Sequence, residues 1–186
     1  MPRVKLFNQE EALKKALMLF WEKGYDSTSL TDLTNELGIG KGSFYDTFGS
    51  KQELFQQALE AYRSEAFDTL DTLLVDKHNP VKGIRNFLDT HTEMMLLDPV
   101  SKGCFITNTC TGSSNDVFVQ NYLKEHNRIM KLKLVDYLKH DSLSTNPELL
   151  ADLILTQVTG ISVLAKIIND KARFSDSNDL FMQLVK

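Results

Sequence analysis

An all-α fold is what this sequence predicts, and three observations carry the expectation. Between its turn signals, apolar residues recur three and four positions apart, the period of a helix with one buried face. Helix starts and stops punctuate these stretches, with Asn79-Pro80 and Asn146-Pro147 as cap-plus-proline openings and Gly24 as an ending. No segment shows the strict alternation of a half-buried strand. About nine helices follow from this reading: a three-helix head within residues 1–51 and a larger helical body over residues 52–186.

The first helix is expected over residues 8–23, with Ala12, Leu13, Ala16, Leu17, Phe20 and Trp21 on its apolar side. It braces residues 28–51, the stretch around which the chain is organised. There Leu30, Leu33 and Leu37 share one helix face, and Ser29 with Asp32 has the spacing of a capping box. Gly38-Ile39-Gly40 breaks the run, Gly38 being able to take the positive φ that ends a helix. A second short helix over residues 41–48 buries Phe44 and Phe48 and leaves Lys41, Ser43, Tyr45, Asp46 and Thr47 outward. A glycine-jointed helix pair whose second member shows a cation, an aromatic and small polar groups suits major-groove reading. An ordinary packed hairpin shares the period, so the period alone leaves both readings open.

Residues 50–75 read as one long helix, with Leu54, Phe55, Ala58, Leu59, Tyr62, Ala66, Phe67, Leu70 and Leu74 buried. It is long enough to touch both head and body. Further helices are expected over 80–97, ended by Asp98-Pro99, and over 102–111, 116–140, 147–169 and 175–185. The helix at 147–169 is apolar on more than one face, so it must be buried on more than one side. A two-fold homodimer through it and the last helix, forming an intersubunit four-helix bundle, satisfies that demand. A wholly intrachain core helix is the alternative.

A chain of 186 residues can bury a substantial core, and no apolar run is expected to reach the length of a bilayer span. The opening residues lack a secretory apolar core, and two cysteines without framework spacing suit a reducing compartment, so the cytoplasm is the expected location. The net charge of −4 argues at first against a nucleic-acid partner. Residues 1–51, however, hold seven basic and seven acidic side chains, so the whole negative excess falls in the remainder. A neutral head implies a few placed phosphate contacts rather than a broad basic field. Arg3 and Lys5 form an N-terminal arm that either reaches DNA or stays solvated.

The wording of the head is more particular than its period. Gly24-Tyr25, Thr28-Ser29-Leu30, Asp32-Leu33, Leu37-Gly38-Ile39, Lys41-Gly42-Ser43-Phe44-Tyr45, Phe48 and Ser50-Lys51 together resemble the N-terminal DNA-binding domain of the TetR family of transcriptional repressors. The resemblance covers about the first sixty residues; the body is similar to the family in length, helicity and layout. It implies a ligand-responsive regulator, released from a palindromic double-stranded operator by a small hydrophobic or electrophilic effector, with the long fourth helix transmitting the signal. It places Lys41, Gly42, Ser43, Tyr45 and Thr47 at groove-facing positions, and Ser29, Thr31 and Lys51 at backbone-contacting ones. The sequence departs from the family at Gly40, where Ser or Thr is frequent, and Asp46 adds a negative charge near the groove.

For the effector, Phe67, Phe87, His91, Met94, Met95, Phe105, Asn108, Tyr122 and Gln157 are candidate pocket walls, each equally readable as core. Residues 103–109 are similar to a Gly-Cys-x-x-x-Asn stretch of a TetR branch that includes sensors of reactive electrophiles. Cys104 is thus either a thiolate sensor beside Lys102 or a buried structural cysteine. No catalytic residue, metal site or cofactor is expected: His91, Glu93 and Cys104 lack the Cys-x-x-Cys of a zinc deaminase, and Cys104 and Cys110 lie on different helix faces. A helical interaction module without DNA binding is the alternative function, and salt-dependent operator binding separates the two.

Overall fold

The computed structural model describes residues 8–97, 102–112, 116–139 and 146–185. Within them the chain forms nine α-helices and no strand: α1 (Gln9–Lys23), α2 (Leu30–Leu37), α3 (Lys41–Phe48), α4 (Lys51–Leu73), α5 (Pro80–Leu97), α6 (Phe105–Thr111), α7 (Val117–Leu138), α8 (Pro147–Leu164) and α9 (Lys171–Met182). The arm with Arg3 and Lys5, and the stop at Asp98-Pro99, lie outside the described residues.

Short polar side chains begin most of these helices by accepting from otherwise unpaired first-turn N–H groups. Asn8 accepts from Glu10 at 2.9 Å, Ser50 from Glu53 at 3.1 Å, and Asn146, ahead of Pro147, from Glu148 at 2.9 Å. Boundaries differ from the sequence expectation most at α6, α8 and α9, the last of which ends at Met182 rather than 185. The helix α6 starts at Phe105 rather than 102, because Gly103 sits at φ +69°, outside helical backbone. A Cβ there would come within 3.0 Å of the Ser162 carbonyl, so glycine lets this strap lie against α8. The helix α8 stops at Leu164 rather than 169, and α9 begins four residues early because Asp170 accepts from the Arg173 N–H at 3.1 Å.

Two large cores result. In the body, Leu70, Ile84, Leu88, Leu134, Leu138, Leu150 and Ile154 come together from α4, α5, α7 and α8. In the head, Phe20, Leu33, Phe44, Phe48, Leu54 and Phe55 pack with Ala16 and Leu59. That second core does not stop at the head: Phe105 and Ile106 of α6 and Val119 of α7 belong to it. The Phe105 ring meets Phe55 edge-on at 5.9 Å, and Lys102 pairs with Glu22 at 3.0 Å across the same junction.

The helix α8 is eighteen residues long with a mean hydropathy of 1.3, enough in length and composition to cross a membrane. Here it packs on α5, α6 and α7, burying Leu150, Ala151, Ile154 and Ile161. Its other side leaves Leu149, Leu153, Val163 and Leu164 exposed, with Ile167 just beyond its end, and α9 leaves Leu180 exposed, with Leu184 just beyond its end. A buried amide holds α9 against α5: Asn178, fully buried, donates to Asp89 at 3.1 Å and Thr92 at 3.2 Å and accepts from Gln157.

Candidate functional site

The head's geometry is set by a small number of local devices. Ser29 and Asp32 form a complete capping box: the Ser29 Oγ accepts from the Asp32 N–H at 3.0 Å, and the Asp32 carboxylate accepts from the Ser29 N–H at 2.9 Å. Lys23 of α1 donates to the same carboxylate at 2.8 Å. The bonds from Lys23 and Ser29 hold the Asp32 carboxyl well below the usual carboxylate range. Gly38 closes α2 in the left-handed region at φ +65°. The helix α3 then starts at Gly40 with no side-chain cap, leaving its first N–H groups unserved by that residue.

Phe44 and Phe48 anchor α3 in the head core, which turns the opposite side to solvent. Lys41, Gly42, Tyr45 and Asp46 are exposed, Tyr45 at 52%, while Ser43 and Thr47 are half-buried at the edges of that face. A Cβ built on Gly42 meets nothing within 4 Å, so nothing in the fold itself requires glycine there. Ser29 and Thr31 are exposed at the start of α2. Lys51, half-buried in the first turn of α4, holds its Nζ 4.4 Å from the centre of the Tyr25 ring, and burial draws its pKa down against the pull of Asp26.

The second feature is a cavity of about 170 Å³ in the body, walled by α4, α5, α6, α7 and α8. Phe87, His91, Met94, Met95 and Cys104 line it, as does Tyr62, whose hydroxyl donates to the Cys104 Sγ at 3.5 Å. The other five residues singled out in the sequence stand outside it. Phe67 stacks on His126, and Phe105 fills the head core. Asn108 donates to the Lys102 carbonyl and accepts from Lys166, Tyr122 donates to Glu60, and Gln157 donates to Ser177 and Asn178. Wall residues the sequence reading missed include Thr69, Thr107, Cys110, His126 and Met130. They share no local motif, and only the packing of distant helices brings them together.

The polar groups of this cavity are held neutral. The Ser162 hydroxyl donates to the Val158 carbonyl at 2.9 Å, so its oxygen accepts from the His91 Nε2–H at 2.8 Å. Burial lowers the pKa of His91 to about 4. It does the same for His126, with the positive charge of Arg63 adding to the effect. Among the described residues, no group of three or more His, Cys, Asp or Glu side chains could hold a metal ion.

Comparison with known proteins bears on both features. Residues 12–58 match the family model for bacterial regulatory proteins of the tetR family. The sequence is 29% identical to the HTH-type transcriptional repressor ComR of Escherichia coli K12, over 73% of this chain and 66% of that one, just under two thirds of the repressor. It is 25% identical, over the full length of both, to the uncharacterized HTH-type transcriptional regulator YezE of Bacillus subtilis 168. The fold matches that of CifR, a TetR family transcriptional regulator solved with 26-bp double-strand operator DNA. The TM-score is 0.90, covering 99% of this chain and 100% of that one, at 22% identity, which speaks for the fold alone. A matching head and relatives that are helix-turn-helix regulators converge: residues 12–58 belong to the tetR family of bacterial regulatory proteins, and the nine described helices share the fold of a TetR family regulator.

Proposed function

We propose that this DNA-binding regulator is a ligand-responsive repressor that binds a palindromic operator as a dimer. The head within residues 1–51 reads DNA, and residues 52–186 bind the effector and the second copy. The observation that carries this reading is α3, whose aromatic side is buried while Lys41, Gly42 and Tyr45 face outward with Ser43 and Thr47 at the margins. In the groove, Lys41 donates to a guanine edge, and Tyr45 serves a phosphate or packs on a thymine methyl. Unfilled space at Gly42 lets the backbone approach closely. Ser29, Thr31 and Lys51 flank this face and meet phosphates. Repression, rather than activation, is supported by the likeness to ComR, a transcriptional repressor. A DNA-reading protein of this kind works in the cytoplasm.

Dimerisation is supported by the unpartnered side of α8 and α9. Leu149, Leu153, Val163, Ile167, Leu180 and Leu184 are all more than a third exposed, and Gly160 lies in the same stripe with nothing within 4 Å of its Cβ position. Spacing of four and three residues along α8 suits packing against an identical helix pair. The cavity supplies the effector site. Its walls include α4, which packs on α1 and α3, and α6, whose Phe105 enters the head core. A ligand that favours one arrangement of these helices shifts the spacing of the heads, with a coupling of typically about 1–3 kcal/mol.

Selection of bound sequences from a random DNA pool tests the reading. A recovered inverted repeat, bound with steep salt dependence, supports it; binding without sequence preference or salt dependence favours an interaction module. A second route to release rests on Cys104, whose sulfur lies at the cavity wall. Maleimide labelling of the native protein, followed by operator binding, tests an electrophilic effector. Labelling at Cys104 with operator binding unchanged leaves that thiol a structural role.

A further inference from the structure

Every residue lining the body cavity, among those described, is uncharged at neutral pH: there is no Lys, Arg, Asp or Glu, and burial keeps both of its histidines neutral. A carboxylate or ammonium entering this space would lose its hydration and find no counter-charge. Volume sets a second limit. About 170 Å³ is slightly more than the roughly 150 Å³ of an engineered cavity that holds benzene, so one substituted ring fits.

The polar group left over sets a third. His91 is satisfied through Ser162. His126 differs: its Nδ1 is buried and has no hydrogen-bond partner among the described residues. Its ring is held flat against Phe67, with centroids 5.5 Å apart and planes within 13°. A neutral imidazole offers one N–H and one lone pair, and a hydroxyl, being donor and acceptor, satisfies whichever of them faces a ligand.

We propose that the cavity binds an uncharged single-ring molecule carrying a hydroxyl, a simple phenol being the minimal case, with His126 as its polar anchor. Occupancy follows from the cavity itself; only its regulatory consequence rests on the effector reading above. Thr69 and Thr107 at the wall accept small variation in where the hydroxyl sits, whereas the Phe67 stack fixes the imidazole plane.

Isothermal titration of the full-length protein at neutral pH with p-cresol, toluene and 4-methylbenzoate tests this directly. We expect p-cresol to bind one per chain and roughly tenfold more tightly than toluene, the effect of one net hydrogen bond. The acid should bind at least about a hundredfold more weakly than p-cresol. His126→Phe should erase the preference for p-cresol over toluene while toluene still binds. Ala66→Leu, which fills the space from α4, should abolish binding of both. Binding of the benzoate as tight as that of p-cresol, or an undiminished preference in His126→Phe, would overturn the proposal. So would failure of all three compounds to bind. If p-cresol binds as described yet leaves operator affinity unchanged, the cavity assignment stands and the effector reading falls.

Discussion

The reading face and the cavity lie along the two halves of α4 and are built by opposite means. On α3 the functional groups are polar, exposed and contained in eight consecutive residues, held by caps and glycines that act within a turn or two. In the cavity they are neutral, set among apolar walls and contributed by five helices, the nearest partners often dozens of residues apart in sequence. The contrast suits the proposed ligands. DNA offers a strong, repetitive charge pattern that a few placed groups can read. A small uncharged molecule offers mainly shape, which a packed interior discriminates.

Substitutions sharpen the contrast by degrees. The largest effect is expected from Lys41→Ala combined with Tyr45→Ala. Two lost contacts at about 1–3 kcal/mol each weaken binding to the selected operator by at least about a hundredfold, and fluorescence anisotropy measures it. Thermal stability should barely move, since both side chains are exposed. Nearly as large is the change expected from Leu153→Asp with Leu180→Asp. Charges placed in an apolar seam should raise the dimer dissociation constant by roughly a hundredfold or more. Sedimentation at micromolar concentration would then show a monomer, whereas an unchanged dimer would remove α8 and α9 from the interface.

A third effect belongs to the cavity alone. His91 has a pKa of about 4 in the folded chain against an ordinary 6.5, with burial as the leading cause. Between these values the unfolded chain takes up a proton that the folded one refuses. Stability is therefore complete above about pH 6.5 and falls as the pH drops toward 4, by on the order of 3 kcal/mol. His91→Phe should remove the His91 share of this pH dependence from a urea-denaturation profile and leave that of His126, whose pKa burial also lowers. Smaller still, Gly38→Ala should cost about 1–2 kcal/mol because its φ of +65° disfavours a side chain. Ser29→Ala should cost about 1 kcal/mol through the lost cap. Both losses should be visible in chemical denaturation.

The same contrast explains what could be read from the sequence. The head was legible because each of its devices is short-range: Ser29 with Asp32, Gly38, and Phe44 with Phe48 all act within five residues. The nine-helix order was legible from period and caps. Gly103 was missed, since its need for a missing Cβ arises from Ser162 and Lys166, some sixty residues away. Of the ten cavity candidates, aromatic and polar types such as Phe105, Tyr122 and Gln157 went instead to core packing or to ion and amide pairs. His126 carried no local signal. Its place at the cavity depends on α7 packing beside α4, and its lack of a partner is a property of the assembled interior.

The central claim is geometric: two copies of α3 lie in successive grooves on one face of a duplex. Asp46→Cys, in a Cys104→Ser and Cys110→Ser background and carrying an iron–EDTA group, tests it by cleaving DNA wherever α3 lies. Two cleavage centres about one helical turn apart (about 34 Å), or a whole multiple of it, symmetric about the operator midpoint, are the predicted result. Uniform cleavage, or a single centre, would contradict the account.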